Sequence, residues 1–84
     1  MKFYYITFRS VTYAQKGESV LNDAGIHCSL QRTPRWMEAQ GCGYCLRLWT
    51  KEPYRALELL EEARIPRRRI YRQRSDGQLE EMKP

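Results

Sequence analysis

Gly43-Tyr44-Cys45-Leu46-Arg47-Leu48-Trp49-Thr50 reads as a strand with two different sides. Successive side chains of a strand point to opposite faces, so Tyr44, Leu46 and Leu48 share one side, and Cys45, Arg47 and Trp49 share the other. The segment before it behaves alike. Ile26, Cys28 and Leu30 alternate with His27, Ser29 and Gln31, which predicts a second half-buried strand that Pro34 ends. Residues 33–41 between them show no clean period and read as a loop or short helical turn carrying Trp36 and Met37.

Outward from this pair, the pattern changes period. Tyr13, Ala14, Gly17, Val20, Leu21 and Ala24 recur at helical spacing, after Ser10 and Thr12 as possible caps and before Gly25 as a stop. Gly17 inside that helix costs about 1 kcal/mol relative to alanine, which suggests close packing of helix on sheet. Phe3 to Phe8, rich in aromatic and β-favouring residues, predicts a buried first strand. On the other side, Pro53 fits the first turn of a second helix. Its inner face would be Ala56, Leu57, Leu60, Ala63 and Arg64, with Leu59 at the margin. Arg67 to Arg72 predicts a short basic fourth strand centred on Ile70, and Arg67-Arg68-Arg69 reads as a solvated edge that charge protects from pairing.

The order β-α-β-β-α-β predicts an α+β fold, the ferredoxin-like sandwich, with a four-stranded antiparallel sheet and two helices on one face. Residues 1–74 form the single domain, and 75–84, from Ser75-Asp76-Gly77 on, form a polar, mobile tail. Ala24-Gly25-Ile26 and Ala63-Arg64-Ile65 close the two helices alike. In this fold the first and third strands are central. The sheet face away from the helices would carry Phe3, Tyr5 and Thr7 beside Cys45, Arg47 and Trp49.

Composition bounds the function. The chain has 84 residues, 42% of them hydrophobic and 30% charged, with a net charge of +5. That suits one small domain with a modest core. No apolar run approaches the roughly 18–20 residues of a membrane span. The N-terminus lacks the pattern of a signal peptide, so the expected location is cytoplasmic, with no membrane partner. Three cysteines are an odd number, not spaced as a secreted disulfide framework, and are expected to be reduced. Arginine outnumbers lysine and favours two-pronged contact with carboxylate or phosphate. The positive excess serves solubility, or else an acidic partner surface, a nucleic acid or an anionic substrate.

Cys42 is the leading chemical candidate. It stands between Gly41 and Gly43, where small neighbours leave a thiol uncovered. A nearby cation lowers a thiol's pKa, and Arg35, Arg32 and Arg47 are the available cations. Such a thiolate accepts a sulfane sulfur as a persulfide and passes it on. The plainer alternative is a cysteine filling space before a strand. Cys42 and Cys45 also have C-x-x-C spacing, but they enter a strand rather than open a helix as in a thioredoxin-like site. A structural zinc site needs four ligands, and only the adjacent His27 and Cys28 remain, so no metal is assigned. Cys45 serves as a resolving thiol or packs. No phosphate loop, apolar carboxylate pair or Ser-His-Asp set is present, and no cofactor is expected.

The outer face is the other candidate. Phe3, Tyr5, Arg47 and Trp49 sit about where RNA-recognition modules stack bases. The alternative function is thus an interaction module that binds a partner protein, itself or RNA through this face; the RNP1 pattern is absent, and an aromatic face also suits a dimer, so a homodimer ranks above RNA.

Several of these features together resemble the small bacterial family of selenium/sulfur carrier protein-like domains. They are Tyr5-Ile6-Thr7-Phe8-Arg9-Ser10, Ala24-Gly25-Ile26, Pro34-Arg35, Gly41-Cys42-Gly43, Ala56-Leu57 through Leu59-Leu60, and Ile70-Tyr71. The likeness covers roughly residues 3–72. It implies a carrier rather than a turnover enzyme, active in sulfur or selenium metabolism. Cys42 is the matching cysteine and Arg35 the matching arginine. The implied partners are a donor such as a cysteine desulfurase and a downstream acceptor protein. Cys45 and the long arginine-rich end depart from the family pattern.

Overall fold

The structure, a computed structural model, describes residues 1–34 and 43–82. Along the chain run β1 (Lys2–Thr7), α1 (Val11–Asp23), β2 (His27–Arg32), β3 (Tyr44–Thr50), α2 (Pro53–Glu62), β4 (Ile70–Gln73) and β5 (Leu79–Met82). The strands form one antiparallel sheet in the order β2-β3-β1-β4-β5. The first four stand in ferredoxin-like order, with β1 and β3 inside.

One face of the sheet makes the core. Tyr4, Ile6, Cys28, Leu46, Leu48 and Ile70 meet Ala14 and Leu21 of α1 and Ala56, Leu57 and Leu60 of α2. Both helices therefore cover the same side. Burying a fully enclosed leucine or isoleucine is worth about 1.5–3 kcal/mol, and Ile6, Leu21, Leu46, Leu48, Leu60 and Ile70 are all fully enclosed. Gly17 lets α1 come this close. A Cβ there would stand 3.2 Å from side-chain atoms of Phe8, Leu46 and Leu60, the close packing that its sequence position suggests.

Local chemistry fixes the helix ends. The Ser10 hydroxyl accepts from the Tyr13 amide at 3.2 Å and caps α1. Pro53 opens α2, while the Thr50 hydroxyl takes the Glu52 amide at 3.1 Å. Both helices stop on a left-handed residue, Gly25 at φ 84° and Arg64 at φ 59°. The Ile26 amide then returns to Leu21 and the Ile65 amide to Leu60, each at 2.9 Å. The repeated Ala-x-Ile is thus a repeated cap, for which Arg64 bears about 1–2 kcal/mol of strain that a glycine avoids.

Four expectations need correction. The sheet has five strands, because Leu79–Met82, inside the stretch read as a tail, pairs with β4 from Ile70↔Met82 to Gln73↔Leu79. The signal was Asp76-Gly77 between two short strands. Gly77 takes φ 87° and its amide bonds the Arg74 carbonyl at 2.9 Å, closing a hairpin. Second, β4 is consequently not an edge, and it starts at Ile70. The arginines before it meet β1 through two backbone bonds, Arg68 amide to Thr7 carbonyl at 2.8 Å and Thr7 amide to Arg69 carbonyl at 2.9 Å, and through the Thr7 hydroxyl, which accepts from the Arg69 amide at 3.0 Å. Third, Ala63 and Arg64 are exposed rather than part of the inner face of α2, since the helix ends at Glu62. Fourth, Ala24 likewise caps α1 in the open instead of packing.

The β2 edge is covered differently. Its outward-turned amides go to side chains of α1, Cys28 to Asn22 Oδ1 at 3.3 Å and Leu30 to Glu18 Oε2 at 3.0 Å. Satisfying these amides removes a template for stray strand pairing.

Candidate functional site

Cys42 and Arg35 lie outside the described residues, as do Trp36, Met37 and all of the expected loop beyond Pro34. The frame that holds this segment is described. Its two flanks are tied together, the Thr33 amide donating to the Gly43 carbonyl at 2.9 Å. Gly43, the residue after Cys42 in the chain, takes φ 84°. A side chain there would be strained, so glycine is what lets the chain turn into β3 at this point. On the adjoining rung, the Arg32 guanidinium sits 5.4 Å from the Tyr44 ring centre, and its Nη1 donates to the Tyr44 hydroxyl at 3.4 Å. Arg47, by contrast, lies over Phe3 at 4.5 Å. Of the two further cations named from sequence, Arg32 therefore stands at the base of the segment. The rung joining Arg32 to Tyr44 was readable only with the register known.

The other cysteines have distinct surroundings. Cys45 is fully buried on the rung that joins Gln31, Cys45 and Thr7. Cys28 faces the helices. Its thiol donates to the Glu18 carbonyl and to Asn22 Oδ1, both at 3.7 Å. Burial, and secondarily the Glu18 charge, pushes its pKa from 9.0 up to about 11. At neutral pH Cys28 is a protonated, enclosed thiol with little nucleophilic power. His27 takes the outer face beside Trp49, so the adjacent pair splits across the sheet. Among the described residues no three His, Cys, Asp or Glu side chains gather as a metal site, and no helix is long and apolar enough to cross a membrane.

Far along β3 the outer face opens. The Phe3 and Trp49 rings stand 4.5 Å apart at 50°, and Trp49 is 38% exposed. Tyr5 stands on the next rung, between Arg47 and Tyr71. Phe3, Tyr5, Arg47 and Trp49 thus occupy neighbouring rungs, as alternation predicts. Two open clefts flank the ring pair. One of about 850 Å³ is bordered by Lys2, Arg72, Gln73 and Arg74, and one of about 250 Å³ by His27, Ser29 and Arg47. Lys2, Ser29 and Arg74 were not singled out from sequence.

A model of the family described as "Putative Se/S carrier protein-like" matches residues 3–72. The chain belongs to this family. No curated protein and no solved structure matches. The matched span holds all three cysteines and runs from Phe3 of β1 to Arg72 of β4; β5 lies beyond it.

Proposed function

We propose that this member of the family carries sulfur or selenium on Cys42 and hands it to an acceptor protein, without turning over a substrate of its own. The observation that supports the choice of cysteine is the burial of the other two. Cys45 is enclosed, and Cys28 is enclosed with its pKa raised. Cys42 has glycine on either side in sequence, and Gly43 holds a turn. In the loading step the Cys42 thiolate attacks the outer sulfur of a donor persulfide. A new S–S bond forms on Cys42, the donor S–S bond breaks, and the donor leaves as its thiolate. A cysteine desulfurase is the class of donor proposed. Arg35 is the proposed stabiliser of the thiolate and the persulfide anion, with Arg32 as a second cation at the base of the segment.

Cys45 is the proposed resolving thiol. Its thiolate would attack the Cys42 sulfur, expel hydrosulfide and leave a Cys42–Cys45 disulfide, which a small-molecule thiol then reduces. Because Cys45 is enclosed, this exchange requires local opening of that end of the sheet.

The test is loading of the full chain by a cysteine desulfurase with cysteine, read by peptide mass. One added sulfur on the Cys42 peptide is expected, absent in Cys42→Ser and kept in Cys28→Ala. Equal loading of Cys42→Ser and wild type would sink the reading.

A further inference from the structure

The open end of the outer face is not used by the carrier chemistry. Gly43 and Trp49 are six residues apart on an extended chain, which at about 3.3 Å per residue separates the Cys42 attachment point from the ring pair by about 20 Å. We propose that the Phe3–Trp49 end of the sheet, with its two flanking clefts, binds single-stranded nucleic acid.

Three observations carry this. First, the Phe3–Trp49 pair is the shared wall of both clefts, so a flat group can lie against the rings from either side. Second, cations border both clefts: Lys2, Arg72 and Arg74 in the larger, Arg47 in the smaller. Arg72 and Arg74 are matched by Glu80 and Asp76, but Lys2 and Arg47 form no salt bridge with a carboxylate among the described residues. Third, the clefts lie on either side of the ring pair, one reaching His27 and Ser29 on β2 and the other Arg72 and Gln73 on β4. A chain of alternating flat bases and phosphates fits this sequence of rings and unmatched charges. A second copy fits it worse than sequence alone suggests. Face-to-face pairing would bring together two copies that each carry Arg47 on this face and a net charge of +5.

The probe is a fluorescein-labelled ten-nucleotide pyrimidine oligomer, as RNA and as DNA, followed by anisotropy across a salt series with the full chain. Binding should weaken as salt rises. Trp49→Ala should lower affinity about tenfold, in keeping with the loss of a stacked base. Arg47→Gln and Lys2→Gln should each reduce the log–log salt slope by about 0.7. Cys42→Ser should bind as wild type, so failure here and failure of the carrier reading are told apart. Three results overturn the proposal: no binding at low salt, unchanged affinity and slope in all three face variants, or a dimer in sedimentation that dissolves in Trp49→Ala while no oligomer binds. A preference between RNA and DNA supports the site and tells which of the two it takes more tightly.

Discussion

The two ends of β3 present opposite solutions on one sheet face. Near Gly43 the face is shut, with Cys45 fully buried and Thr7 nearly so, the Thr7 hydroxyl accepting from the Arg69 amide at 3.0 Å. Near Thr50 the face is open, with Trp49 partly exposed and clefts on both sides. Both ends belong to a single strand with one alternation. What differs is the cover over each end, and alternation alone carries no information about that. The thiol chemistry proposed above belongs to the closed end. The open end suits recognition.

A charge breaks this comparison most severely. Cys45→Asp places an unpaired carboxylate in the closed end and should cost about 3 kcal/mol or more in urea unfolding. A loss below about 1 kcal/mol would mean that this end is open after all. Trp49→Ala, at the open end, should cost only about 1 kcal/mol and leave the reactivity of Cys42 unchanged. A changed Cys42 rate in that variant would show that the two ends are coupled.

A third effect, confined to alkaline pH, concerns Cys28. Because its pKa is raised from 9.0 to about 11 in the folded chain, the folded state keeps a proton that the unfolded state releases first. The resulting stability is complete below pH 9 and is lost as pH rises through about 11. Wild type should therefore lose more stability than Cys28→Ala across that window, measured by urea midpoints at each pH. Parallel pH profiles would contradict the buried setting of this thiol.

Most of the fold was legible. Alternation in β2 and β3, the helical stripes and the Ser10 cap are local signals, and the sheet order follows from their succession. The misses have physical reasons. β5 is short and half polar, since Glu80 and Glu81 pair across it with Arg72 and Arg69, so it looks like a tail until Asp76-Gly77 is read as a hairpin turn. Ala63 and Arg64 continue the helical stripe in sequence, but the left-handed Arg64 ends the helix before they reach the core. At the site, the opposite facing of Cys28 and Cys45 follows from alternation. The burial of Cys45 and the stacking of Arg32 on Tyr44 depend on what packs beside them, which no single-strand pattern encodes.

The account rests on one thiol out of three being the reactive one. The most direct measurement is the pH dependence of alkylation at each cysteine in the folded chain, read by peptide mass. Cys42 should react rapidly, with an apparent pKa below the ordinary thiol value of about 8.5, while Cys28 and Cys45 stay protected until the chain unfolds. A Cys42 that reacts only on unfolding, or a Cys45 that reacts first, would contradict it.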